Sequence, residues 1–142
     1  MTPEQIRLVK ATYSQVDAIA DQAADLFYDR LFTIAPGVKP LFKNDMRTQG
    51  RMLMSSIGLV VRNLDHPEKI LPMVEKMGQR HNTYGAKPEH YPVVGEALLW
   101  TLEQGLGPAF TAEVKDAWAA AYGLLSQLMI DAQLGGAKAK VA

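Results

Sequence analysis

Apolar side chains recur at helical spacing along almost the whole chain, and no segment sustains the alternation of a strand, so the sequence reads as all-α. Ile6, Val9, Tyr13 and Val16 form the first stripe. Thr2-Pro3-Glu4-Gln5 marks its start: Thr2 suits the cap, Pro3 the first helical position, and Gln5 completes a capping box. A second apolar segment carries Leu26, Phe27, Tyr28, Leu31 and Phe32 until Pro36-Gly37 stops it. A short connection through Phe42 to Asn44 precedes a third helix, from about Met46 to Leu64, whose apolar face holds Leu53, Ile57, Val60, Val61 and Leu64. Gln49 falls one turn before Leu53 on that face, which directs its amide inward.

The polar break Asp65-His66-Pro67 leads to a fourth helix ending near Thr83, on which Ile70, Val74, Met77 and His81 succeed one another at helical offsets. Gly85, Pro88 and Pro92 interrupt the chain. A fifth helix then carries Val94, Leu98, Leu102 and Leu106 as far as Gly107-Pro108. The last helix is the longest: Thr111 caps it, Val114, Trp118, Tyr122, Leu125 and Met129 form its buried side, and Gly135-Gly136 is expected to end it. A short flexible tail is expected from about residue 135. With no repeat or linker, residues 1–142 read as one domain.

Composition narrows the function classes. A domain of 142 residues buries roughly 68–70% of the surface of its unfolded chain, so it holds a core without disulfides or structural zinc. The absence of cysteine excludes thiol chemistry and zinc clusters built on it. The 15 basic and 15 acidic side chains are interspersed, and this gives no single-sign field for nucleic acid or an anionic membrane; neither is expected as a partner. Met1 to Lys10 lacks the basic-then-apolar layout of a signal peptide, and no apolar run is long enough to span a bilayer, so a cytoplasmic location is expected.

No nucleophile elbow, phosphate loop or paired-carboxylate motif stands out, and attention falls on the histidines. His66 and His90 lie in polar, proline-bearing breaks and read as solvated or capping. His81 differs, because an imidazole on an apolar face either satisfies both ring nitrogens internally or binds something. One histidine is too few for zinc, but it suffices for a haem iron whose four equatorial bonds come from the porphyrin. Phe42, Leu53, Ile57, Val74, Met77, Val94 and Met129 are candidate walls for such a group and equally ordinary core. Tyr28 and the inward Gln49 are candidate polar donors opposite His81, although a structural bond to backbone serves Tyr28 as well.

These residues sit within a longer ordered pattern: Phe27-Tyr28-Asp29-Arg30-Leu31-Phe32, Leu41-Phe42, Gln49-Gly50-Arg51, Arg80-His81 with Tyr84-Gly85, His90-Tyr91-Pro92-Val93-Val94-Gly95, then Trp118 and Ala121-Tyr122-Gly123. Over nearly its whole length the chain resembles the globins, and within them the bacterial single-domain haemoglobins related to the globin half of flavohaemoglobins. The resemblance implies a three-over-three helical sandwich around a haem pocket. It makes His81 the proximal iron ligand, packs Phe42 against the haem, and makes Tyr28 and Gln49 the distal polar pair. Leu53 would stand one turn further along the distal helix, and Tyr91 beside His81. Met77 and Val94 remain candidate walls, and Arg80 pairs with a haem propionate or is solvated. The haem would be haem b held non-covalently, since no Cys-x-x-Cys-His attachment site exists.

A hydrogen bond to the second nitrogen of a ligating histidine fixes the ring and strengthens it as a donor. The flavohaemoglobin pattern sets a Tyr and a Glu there; Tyr91 matches the first, but Gln133 occupies the place of the acid, which puts redox-grade tuning of the iron in doubt. The resemblance implies reversible binding of dioxygen for storage or delivery, with nitric oxide and other small haem ligands as further partners. The alternative is a nitric oxide dioxygenase, or another haem redox activity, that depends on a separate reductase. A sensor module and a haem-free fold are disfavoured, the first by the lack of an output segment and the second by the inward histidine. A monomer or weak homodimer is expected.

Overall fold

The capping box forms as its sequence dictates: the Gln5 N–H donates to Thr2 Oγ1 at 3.1 Å and the Thr2 N–H to Gln5 Oε1 at 3.0 Å, opening α1 (Pro3–Asp17). The computed structural model describes residues 1–42, 45–84 and 89–141, and the side chains of these except 67, 78–84 and 133–141. α2 (Ala20–Ile34) is followed by a 3-10 turn over Pro36–Leu41. α3 (Met46–Arg62) is capped by Asp45, whose carboxylate accepts the N–H groups of Arg47 and Thr48 and the Thr48 hydroxyl. Those bonds hold the Asp45 carboxyl below its ordinary range.

α4 (Pro67–Tyr84) starts on a proline and passes through Pro72. α5 (His90–Leu106) ends at Gly107, where φ of +55° suits a residue without a Cβ. In α6 (Ala112–Val141) the Thr111 hydroxyl accepts the Val114 N–H. The helix runs through Gly135-Gly136, so the expected stop there is corrected. A helical glycine costs only about 1 kcal/mol relative to alanine, and the Ala-Lys-Ala-Lys that follows favours continuation.

The helices pack as α1 on α3 and α6, α2 on α3 and α5, and α4 on α6. Two apolar clusters result. The larger joins Val9, Tyr13 and Val16 of α1 to Met54 and Val61 of α3, Val74 of α4 and Trp118 of α6. Its polar atoms are paired: the Trp118 indole donates to Thr12 Oγ1 at 2.8 Å, and Thr12 donates to the Leu8 carbonyl at 2.7 Å. The Tyr13 phenol donates to the Met54 carbonyl at 3.0 Å and lies over Gly58, where a Cβ would stand 2.6 Å from the phenol oxygen.

The smaller cluster gathers Phe27, Tyr28, Leu31, Val38 and Ala97, with Phe32, Phe42, Leu53 and Val94 packed against it. Leu98 touches both clusters. Full burial of a side chain such as Leu31, at 1% exposure, contributes about 1.5–3 kcal/mol. Among the described residues no helix is long and apolar enough to cross a membrane.

Candidate functional site

The smaller cluster is built on aromatic rings that two neighbouring segments supply. Phe27 and Tyr28 are adjacent on α2, with centroids 5.0 Å apart and rings edge to face; Phe32 follows one turn later, 5.8 Å from Tyr28. Phe42 enters from the chain beyond the 3-10 turn, where its N–H donates to the Lys39 carbonyl at 3.1 Å. Its ring lies 5.4 Å from Tyr28 and 5.5 Å from Phe32, edge to face in both cases.

Tyr28 therefore carries its hydroxyl into apolar surroundings. It is 6% exposed, and burial pushes its phenol up to about 12, with a hydrogen bond to the Gln49 side chain offsetting part of the rise. A phenol can donate one hydrogen bond and accept others, so pairing with an amide leaves it capacity for a further partner. Gln49 stands in the first turn of α3, where its N–H donates to the Asp45 carbonyl at 2.9 Å. The Asp45 cap thus sets the turn from which the Gln49 side chain reaches Tyr28. Leu53, one turn further, packs into the same cluster, as does Val94 of α5.

Of the residues singled out in the sequence, Tyr28, Gln49, Phe42, Leu53 and Val94 come together here. Tyr91 is buried in the larger cluster, and Met77 of α4 packs against that cluster as well. His81 and Arg80 lie on α4 and Gln133 on α6; the side chains of all three fall outside the described residues. Phe32 was missed as a site residue, although its place one turn after Tyr28 on an apolar face was the available signal. Leu98 was read only as part of a stripe, and its contact with both clusters depends on how α5 crosses α2.

The chemistry on offer is a wall of aromatic and aliphatic carbon with two polar donors. Among the described residues no group of three or more His, Cys, Asp or Glu is arranged to hold a bare metal ion. This set fits a planar, largely apolar cofactor that supplies four metal ligands itself and asks the protein for one more. α4, which carries His81, is seated by Ile70 and Val74 in the larger cluster.

The family model described as Globin matches residues 25–129. A flavohemoprotein of Deinococcus radiodurans is 37% identical over 138 residues, which cover 95% of this chain and 34% of that protein. A flavohemoprotein of Bacillus subtilis is 32% identical over 88% of this chain and 32% of its own length. The chain thus spans about a third of the length of these curated relatives. Among solved structures, a bacterial globin from Campylobacter jejuni superposes with a TM-score of 0.86 at 29% identity, covering 96% of this chain and 99% of that one. An engineered carbene transferase from Rhodothermus marinus superposes with a TM-score of 0.90 over the whole chain and 99% of its own; at 23% identity that likeness shows the fold alone.

Proposed function

The chain belongs to the globin family, and from that premise we propose that it holds haem b non-covalently and binds dioxygen reversibly. Haem-based binding of small gases is what the family implies, and the all-α globin fold is the one expected from the sequence. The observation that carries the finer reading is the Tyr28–Gln49 pair set among Phe27, Phe32, Phe42 and Leu53. When bound, haem supplies a ferrous iron able to take a diatomic gas.

In this reading His81 would hold the iron through an imidazole nitrogen, with Tyr91 beside it. Phe42, Leu53, Met77 and Val94 form walls, and Arg80 faces a propionate. A phenol is protonated at neutral pH in any case, and burial extends that range upward, so the Tyr28 O–H would be available as a donor toward a polarised diatomic ligand held in the pocket. A hydrogen bond to a charged acceptor is worth roughly 1.5–3 kcal/mol. At about 1.4 kcal/mol per decade, that is roughly tenfold to more than a hundredfold in affinity. The surrounding rings keep water from competing for the donor.

The resemblance to flavohemoproteins favours a second reading, nitric oxide dioxygenation or another haem redox activity served by a separate reductase. Admitting oxygen to the reduced, haem-loaded protein while recording its visible spectrum separates the two. A stable oxygenated spectrum supports storage or delivery, and rapid oxidation with sustained turnover by a reductase supports the second. Both readings suit a cytoplasmic monomer or weak homodimer.

A further inference from the structure

Away from the cluster around Tyr28, a cleft of about 380 Å³ opens where the end of α1 and the start of α2 face α3. Small-molecule sites run from roughly 300 to 1,000 Å³, so the cleft has room for a small solute. Its two walls carry opposite charge. On α3, Arg51, Ser55, Gly58 and Arg62 follow one another at helical offsets, so two guanidiniums flank two small residues on one face. Opposite them Asp17 ends α1 and Asp21 stands in the first turn of α2, with Ala20 between the two acids.

The floor is the buried Tyr13 phenol. It has one proton, which it donates to the Met54 carbonyl at 3.0 Å, so Asp17 Oδ1, 3.5 Å from the same oxygen, gains little from it. Arg62 reaches the same floor at Gly58: a Cβ there would stand 3.4 Å from Arg62 Nη1 and 2.6 Å from the phenol oxygen. Both walls thus come down to one hydroxyl, yet they do not close on each other. Among the described residues none of the four charged groups forms an ion pair with another.

Asp17 is the least well placed of the four. It is a carboxylate at the negative end of a helix whose last turn holds no basic residue, so its surroundings call for a cation. Arg51 and Arg62 call for an anion, and a guanidinium receives a carboxylate through paired N–H donors. A bare anion entering the cleft would meet two aspartates, and a bare cation two arginines. A molecule that carries both charges escapes both penalties. We propose that this cleft binds a small zwitterion of the amino-acid class, its carboxylate on Arg51 and Arg62 and its ammonium on Asp17 and Asp21.

The test titrates the full, haem-loaded chain, kept diamagnetic with carbon monoxide, with unbranched amino acids from glycine to 6-aminohexanoate, which vary the spacing of the two charges. Backbone amides are followed by NMR, and the carboxylate and the amine of each chain length serve as single-charge controls. At least one amino acid is expected to give saturable shifts at the end of α1 and along α3 from Arg51 to Arg62. It should bind about tenfold or more tightly than either control, the equivalent of about 1.4 kcal/mol. Asp17→Asn and Arg62→Gln should each weaken it by about the same factor and leave the visible haem spectrum as in the parent. A control carboxylate that binds as tightly, or binding that survives Asp17→Asn intact, would make the cleft a plain anion site and overturn the proposal. The absence of saturable shifts at every chain length would overturn it too, by showing walls that are solvated or paired with each other.

Discussion

The Tyr28 phenol on α2 and the Gln49 side chain on α3 are hydrogen-bond partners within a cluster of aromatic and aliphatic side chains. Neither helix alone places both groups. The rings of Phe27 and Phe42 each meet Tyr28 edge to face, and the Asp45 cap fixes the turn that presents Gln49.

Removing the phenol tests what the pair is for. Tyr28→Phe keeps the ring contacts with Phe32 and Phe42 and deletes the donor. Dioxygen dissociation from the reduced, haem-loaded protein, followed by stopped flow, is expected to accelerate by roughly tenfold to more than a hundredfold, the equivalent of a hydrogen bond of about 1.5–3 kcal/mol. An unchanged rate would show that the phenol serves only the fold.

The raised pKa of Tyr28 has a signature at alkaline pH. In the unfolded chain the phenol ionises near 10, whereas in the folded chain it holds its proton to about 12. Its contribution to stability is therefore complete below pH about 10 and is lost as pH rises toward about 12, at about 1.4 kcal/mol per unit of difference. Tyr122, also raised by burial, acts in the same direction. Urea unfolding across this range should show stability falling in the parent chain and falling less steeply in Tyr28→Phe; parallel slopes would contradict the burial of that hydroxyl. Over the same measurement, dioxygen affinity should not show a tyrosine-like titration near pH 10.

The close approach of α1 to α3 makes a third prediction. Gly58→Ala brings a Cβ to 2.6 Å from the Tyr13 oxygen and 3.2 Å from Cζ, and it disturbs the bond from Tyr13 to the Met54 carbonyl. Overpacking of this kind costs about 1–3 kcal/mol. Combining it with Tyr13→Phe, which removes the nearest atom, should recover part of the loss in thermal denaturation. Strict additivity of the two changes would mean that the contact is not made in solution.

Much of this was legible in the chain. The stripes Ile6-Val9-Tyr13-Val16 and Ile70-Val74-Met77 placed α1 and α4, the Thr2 capping box fixed a boundary, and the position of Gln49 one turn before Leu53 pointed its amide inward, where it meets Tyr28. What stayed hidden depends on contacts between helices distant in sequence. Nothing local to Tyr122 shows that its hydroxyl reaches the Tyr91 carbonyl, or that Gly95 is small in order to receive its ring. Gly135-Gly136 misled for a different reason: a glycine pair weakens a helix without dictating its end, and α6 runs on to Val141.

The role of His81 is the claim on which the rest turns, and the visible absorption spectrum of His81→Ala, purified and reconstituted with haem beside the parent chain, tests it most directly. The parent is expected to keep its haem band through desalting and to give a five- or six-coordinate ferrous spectrum on reduction. The variant should lose the band or change its form, and added imidazole should restore it by filling the vacated ligand position. A variant spectrum identical to that of the parent would show that the iron takes its protein ligand elsewhere.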